Sequence, residues 1–407
     1  MKVKSNVSFG FELSLWLLGI MLLTSCATNP QPSATVPSSA PTTAVSMPTT
    51  APPAPTLDPN DRPKFDVSGW KTDFAKHAVP YQEITSGGPP RDGIAPIDHP
   101  KFVAPTEAAG WLKDNEPVIL VVLNGDARAY PLQILIWHEI TKDRVGSVPV
   151  TVTFCPLCNT AIVFDRSLGG TLYDFGTTGK LRYSDLVMWD RQTESWWQQA
   201  TGEAIVGTLT GMRLKPLPAA IVSFADFRRS YPAGKVLSRD TGFERNYGRN
   251  PYVGYDDVES SPFLFKGTPD ARLRPMERVV ALTLGEADVA YPYTVLSQQQ
   301  VLNDAPGGRP VVVLWQRGTS SALDGGSIAG SRDIGATGVF ERAVDGRTLT
   351  FRAEGDGFVD AETGTRWNVL GQAVEGPLKG RQLEPVVHVD VFWFAWAAFK
   401  PGTRVYQ

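Results

Sequence analysis

The sequence predicts a mainly β fold with a few short helices, arranged as two tandem related β-rich units. Two observations predict it. Short runs rich in Val, Ile, Thr and aromatics, bounded by Gly, Asn or Pro, recur after Val118, which is the strand signature. The second half also repeats the first in order: VILVVLNGDARAYP from Val118 matches VVALTLGEADVAYP from Val279. Val148–Val152 then matches Arg309–Val313, Asp190–Trp196 matches Asp360–Trp367, and Gly202–Gly207 matches Gly371–Gly376. Four matches in one order indicate an internal duplication.

Taken in chain order, Lys2 and Lys4 precede an apolar run from Phe9 to Leu23 that ends in Leu-Thr-Ser-Cys26. This is the pattern of a secretory signal with a lipobox, predicting a signal peptide over 1–25 and acylation of Cys26. The run is about 15 residues, short of the roughly 20 that span a bilayer, and several acyl chains would hold the protein on a membrane. The expected location is therefore extracytoplasmic, in a bacterial cell envelope, with the membrane as a partner through the lipid anchor. Residues 26–62 are Pro, Ser, Thr and Ala with almost no charge, a composition that buries too little to fold and forms an extended tether.

The remaining chain, about 340 residues, exceeds one ordinary core. The expected division is a first unit over 63–240, an inter-repeat segment over 241–275 and a second unit over 276–407. Expected strands are Val118–Leu123, Val148–Thr153, Ala161–Asp165, Pro310–Trp315 and Arg347–Arg352. Expected helices are Leu132–Thr141, Ser223–Ser230 and Val391–Lys400. Net charge is −3 with no basic run, which excludes nucleic acid as the expected partner.

Two of the three cysteines stand in Thr153-Phe154-Cys155-Pro156-Leu157-Cys158-Asn159. The β-branched continuation predicts strand, turn, strand, the shape of a metal knuckle that aims both sulfurs at one point. The second half has Trp315-Gln316-Arg317-Gly318 there, so the fold does not require the cysteines and their presence marks a site. His138 also has no counterpart, Gln299 standing in its place, which makes it the expected imidazole ligand, with Glu139 as a carboxylate to orient it. His388 and Met188 are further candidate ligands, each with a plain core reading beside it.

Two thiolates with an imidazole suit copper or zinc and disfavour magnesium and calcium; the external location points to copper, with zinc as the alternative, for metal transfer or redox chemistry. A second reading is a thiol–disulfide oxidoreductase in which Cys155 and Cys158 cycle with a protein partner. It lacks the helix that ordinarily stabilises the thiolate, so His138 or Arg166 would have to supply the cation. A third reading is a binding module that captures a small ligand with Trp189, Trp196, Trp197, Trp393 and Trp396 or with the Arg245–Tyr252 loop. Asp185, Asp190 and Glu194 form a candidate acid/base set. The motifs TFCPLCNTAIVFDR, SDLVMWDRQTESWWQQATGEAIVG, RNPYVGYD, SALD and FWFAWAAFKP resemble an uncharacterised bacterial family, domain of unknown function 3179. The resemblance covers nearly everything after Val118 and implies an exported protein with the paired-cysteine hallmark, without an assigned activity.

Overall fold

The computed structural model describes residues 57–58 and 60–407. The signal segment, Cys26 and most of the tether lie outside the described residues. The described chain is mainly β with short helices. Among the described residues no helix is long and apolar enough to cross a membrane.

Strands β1 (Pro117–Leu123) and β2 (Asp126–Pro131) form a hairpin. Its two loop residues, Asn124 and Gly125, both have positive φ, the backbone that a tight two-residue hairpin turn demands. Helix α1 (Leu132–His138) begins at Pro131, whose extended backbone already fits a helix entry, and buries Leu132, Ile134, Leu135 and Ile136. It was expected to run to Thr141 but stops at Glu139, which takes a φ of 58° and returns its N–H to Leu135 O at 2.7 Å. Thr141 is already in β3 (Ile140–Val145), which pairs with β4 (Val148–Cys155); β4 pairs in turn with β5 (Thr160–Asp165). A second antiparallel run follows: β6 (Phe175–Arg182), β7 (Asp185–Asp190), β8 (Trp196–Gln198) and β9 (Glu203–Val206). The chain then returns to the first sheet. Strand β10 (Ala220–Ser223) lies antiparallel to β1, and Ser223 caps α2 (Phe224–Ser230) by accepting the Asp226 N–H at 3.0 Å. Strand β11 (Lys235–Leu237) lies parallel to β2, and Phe102–Val103 pairs antiparallel on its far side as the sheet edge.

The second half has the same order. Strands β12 (Arg278–Leu284) and β13 (Ala287–Pro292) lead to α3 (Tyr293–Gln299), β14 (Val301–Asp304), β15 (Val311–Gln316) and β16 (Ala336–Glu341). Then come β17 (Phe351–Glu354), β18 (Gly357–Asp360), β19 (Arg366–Trp367) and β20 (Ala373–Glu375). Strand β21 (Val389–Phe392) pairs with β12, α4 (Trp393–Phe399) follows, and β22 (Arg404–Val405) lies parallel to β13. The sequence run Arg347–Arg352 is broken in two, because Arg347–Thr348 pairs with Ala343–Val344 before the chain changes partner to β18. Val391 and Phe392 belong to β21, so the last helix starts two residues later than expected.

The polar contacts run in step as well. Asp190 accepts from Thr193 N at 2.6 Å and Trp197 Nε1 at 2.8 Å; Asp360 accepts from Thr363 N at 2.6 Å and Trp367 Nε1 at 2.9 Å. Trp197, rather than Trp196, therefore stands where Trp367 does. The largest core joins Ile119, Phe154 and Trp197 to Val279, Val391 and Trp393, and a second joins Val118, Phe224 and Phe227 to Leu314 and Trp367. Residues of both halves fill both cores.

Candidate metal centre

The C-P-L-C segment is the turn between β4 and β5. Cys155 is the last residue of β4 and lies opposite Thr160, the first of β5; Asn159 closes the turn with φ 55° and an N–H to Pro156 O at 3.2 Å. Asn has a short side chain that tolerates this left-handed backbone. The expected strand, turn, strand is thus the structure found. In the second half β15 and β16 are joined instead by residues 317–335, so that Thr337 lies opposite Trp315 where Ala161 lies opposite Phe154.

A third group reaches the turn from the β6–β7 hairpin. That hairpin carries its pairing to Arg182↔Asp185, beyond a bulge at Thr177–Lys180, and turns through Tyr183 and Ser184, both at positive φ. Its tip delivers Asp185. One ligand atom each from Cys155, Cys158 and Asp185 lies within 4.8 Å of the others. All three residues are essentially fully buried. The Cys155 thiol points to Ser184 O at 3.7 Å.

Asp185 is held and yet incompletely satisfied. Its Oδ1 accepts from Gln198 Nε2 at 2.5 Å and Ala200 N at 2.9 Å, while Oδ2 has no N–H or O–H donor; the Cys158 thiol is the donor at hand. Burial pushes this carboxyl up to about 7, against the pull of those hydrogen bonds. Glu139 is pushed up to about 8 by burial and then by the charge of Asp185. Burial also drives the Cys158 thiol well up, with Cys155 adding to the shift. Taking a charge out of water is costly unless an opposite charge replaces the solvent. With the Cys158 thiol and the Asp185 and Glu139 carboxyls all raised, the surroundings of the cluster are short of positive charge, and Arg182, the cation acting on Asp185, is itself bonded to Glu83 at 2.7 Å.

The segment between the halves, with β21, covers the turn. Tyr255 Oη donates to Leu157 O at 3.0 Å and accepts Phe263 N at 3.3 Å, Ser184 Oγ donates to Phe263 O, and Phe392 N donates to Cys158 O at 2.9 Å.

The other expected site residues lie elsewhere or are otherwise engaged. His138 is not in the cluster: its Nδ1 meets Ala95 O and its Nε2 meets Tyr247 Oη, both at 2.7 Å. Those partners, and not Glu139, orient the ring. His388 is bonded through Nδ1 to Val386 O at 2.8 Å, also outside the cluster. Met188 packs in the core that contains the cysteines. Arg166 is paired with Asp174 at 2.7 Å. Of the candidate acid/base set, Asp190 is committed to Thr193 and Trp197, and Glu194 to Lys71 N and Arg91. Trp196, Trp197 and Trp393 are core residues with no exposed surface, so they line no open groove. In the Arg245–Tyr252 loop, Tyr247 holds His138 and Asn250 is tied to Gly325 O at 3.2 Å.

Residues 91–403 match the family described as "Protein of unknown function (DUF3179)". The chain belongs to that family. No curated protein and no solved structure matches it. Asp185 was visible in the sequence only as one acidic residue among three. The signal that singles it out is the long hairpin, for the β17–β18 hairpin stops at Glu354↔Gly357 and carries no such tip.

Donors on a tetrahedral ion at about 2.0–2.3 Å stand roughly 3.5 Å apart. The three ligand atoms lie within 4.8 Å of one another, so contraction around an ion would bring them to that spacing. Two soft sulfurs, one buried carboxylate oxygen with no N–H or O–H donor and a deficit of positive charge fit a thiophilic divalent ion. Cys155, Cys158 and Asp185 could hold it.

Proposed function

We propose that this protein is an envelope-anchored metal-binding protein in which Cys155, Cys158 and Asp185 hold a single thiophilic ion. The observation that carries the reading is Asp185 Oδ2, buried without an N–H or O–H donor beside two buried thiols. The preference for copper rested on an imidazole from His138. With that ring engaged elsewhere and a hard carboxylate in its place, the donor set favours zinc, which accepts thiolate and carboxylate together. The lipobox ending in Cys26 supports an anchor outside the cytoplasm. The matched strand registers and the paired Asp–Thr–Trp contacts support an origin of the two halves by duplication, with the metal site belonging to the first alone.

Thiol–disulfide exchange is the weaker reading. Attack on a partner needs an accessible thiolate, whereas both sulfurs are buried and Cys158 is driven toward its neutral form. The same enclosure suits an ion that is held rather than passed on.

The test is elemental analysis of the reduced full-length chain after equilibration with zinc or copper. About one zinc per chain is expected, lost in the Cys155→Ser/Cys158→Ser double variant, with affinity reduced at least tenfold in Asp185→Asn. Wild-type protein carrying no more of either ion than the double variant would refute the proposal. Copper bound equally well by wild type and Asp185→Asn would instead leave a two-thiolate centre.

A further inference from the structure

A cleft of about 300 Å³ opens in the second half where β12 begins, against α3 and the 317–335 loop. Its size is at the lower end of the roughly 300–1,000 Å³ of small-molecule sites. Val258, Met276, Trp315 and Ile334 give it an apolar side, and Asp256, Glu277, Arg278, Arg317, Arg332 and Asp333 line it as well. Most of these charges are already engaged. Asp256, with no exposed side-chain surface, is clamped by Arg278 at 2.7 Å and by Arg332 at 2.9 Å. Asp333 accepts backbone N–H groups from Gly318, Thr319 and Gly335. Tyr293 and Ser297, also in the wall, donate their hydroxyls to Asp390 and to Thr294 O.

Glu277 and Arg317 remain. Arg317 is exposed and makes no hydrogen bond or ion pair. Glu277 is 8 % exposed; its Oε1 accepts Thr294 N at 3.2 Å, while its Oε2 has no donor. That oxygen is not sealed off as Asp256 Oδ1 is, so the cleft reaches it. The first half completes the same contact internally. Glu116 precedes β1 as Glu277 precedes β12, and the matching registers Val118↔Pro131 and Val279↔Pro292 put Gln133 where Thr294 stands. There Glu116 Oε1 accepts Lys113 N at 3.0 Å and Oε2 accepts Gln133 Nε2 at 2.6 Å, with Arg239 bonded to Gln133 Oε1 at 2.9 Å. Threonine is too short to supply that amide. A largely buried carboxylate without an opposite charge is costly, and only the second half leaves one open to a cleft.

We infer that this cleft binds a small zwitterion of the α-amino-acid type. Its ammonium group donates to Glu277 Oε2, its carboxylate accepts from the Arg317 guanidinium, and an apolar side chain packs on Trp315 and Ile334. Any ligand displaces water from these two charges and must replace its hydrogen bonds at each. A molecule with one charge leaves the other bare, whereas a zwitterion meets both. This site is separate from the proposed metal centre and does not depend on it.

The experiment is titration calorimetry of the full-length protein at neutral pH with L-leucine, with isopentylamine, which lacks the carboxylate, and with isocaproate, which lacks the ammonium group. Saturable leucine binding is expected, about tenfold or more tighter than either, the ratio that one hydrogen bond to a charged group provides. Glu277→Gln, whose amide oxygen can still accept from Thr294 N, should bring leucine down to about the affinity of isocaproate and leave isocaproate binding no weaker. Arg317→Gln should bring leucine down to about the affinity of isopentylamine. Arg317 is exposed and unbonded, so its variant keeps the fold and decides the matter should Glu277→Gln fail to fold. Absence of saturable leucine binding, a leucine affinity no better than that of the amine or the acid, or leucine binding unchanged in Arg317→Gln or in folded Glu277→Gln would each overturn the inference.

Discussion

Replacing Asp185 by Asn should stabilise the metal-free protein at alkaline pH and weaken the metal-bound one. The amide keeps the shape, and its oxygen can still accept from Gln198 Nε2 and Ala200 N. What it removes is the buried charge. Burial pushes the Asp185 carboxyl up to about 7 in the folded chain, from the ordinary 3.8 of a free carboxyl, so folding raises its proton affinity. Its stabilising contribution is complete below about pH 4 and is lost as pH rises to about 7. The gap corresponds to at most about 4 kcal/mol, and relaxation around the charge reduces it; roughly 1–3 kcal/mol of that loss falls between pH 5 and pH 8. Glu139, raised to about 8, loses stability in the same direction in both proteins, less so in the variant where the Asp185 charge is gone. Urea denaturation with chelator and reductant at pH 5 and pH 8 should therefore show the midpoint of Asp185→Asn rising relative to wild type as pH increases. With saturating zinc at pH 8 the order should reverse, because binding of the deprotonated ligands stabilises the wild type by mass action. A midpoint difference that is the same at both pH values in chelator, or a wild type that is the more stable at pH 8 without metal, would refute the account of Asp185 as a buried charge in need of a cation.

In a Cys26→Ser chain, a thiol reagent such as an aromatic disulfide should leave Cys155 and Cys158 unmodified in the native state and titrate both in urea; rapid native labelling would reopen the exchange reading. Asp190→Ala and Asp360→Ala should each cost about 2–4 kcal/mol, because each leaves a buried Trp indole N–H and a Thr N–H without their acceptor; equal midpoint shifts in urea are expected, and a loss confined to one half would show that the two contacts are not equivalent. Tyr255→Phe should cost about 1 kcal/mol and speed thiol labelling, as it removes the hydrogen bonds to Leu157 O and Phe263 N that fasten the covering segment; unchanged labelling would mean that segment does not guard the cysteines.

The sequence by itself determined what local chemistry can dictate. Asn124-Gly125 requires a tight hairpin turn, Pro156 and Asn159 close the cysteine turn, and Ser223 caps the helix that follows it, since each depends on neighbours a few residues away. The matching runs in the two halves were legible for the same reason, being short and in one order. Helix ends were read less well: α1 stops at Glu139 because the chain must turn to bring Ile140 into register with Thr153 and Glu139 O to the Phe154 N–H, a demand that local propensity does not contain. Tertiary structure alone decided the membership of the site. His138 ends helix α1 next to Glu139 but meets Ala95 and Tyr247, while Asp185, 27 positions after Cys158, arrives because a bulged hairpin is long enough to reach the turn. Identity of residue type told which side chains could ligate; only the packing of one hairpin tip against another turn decided which of them are close enough to share an ion, since attraction and desolvation both depend on distances that sequence spacing does not encode.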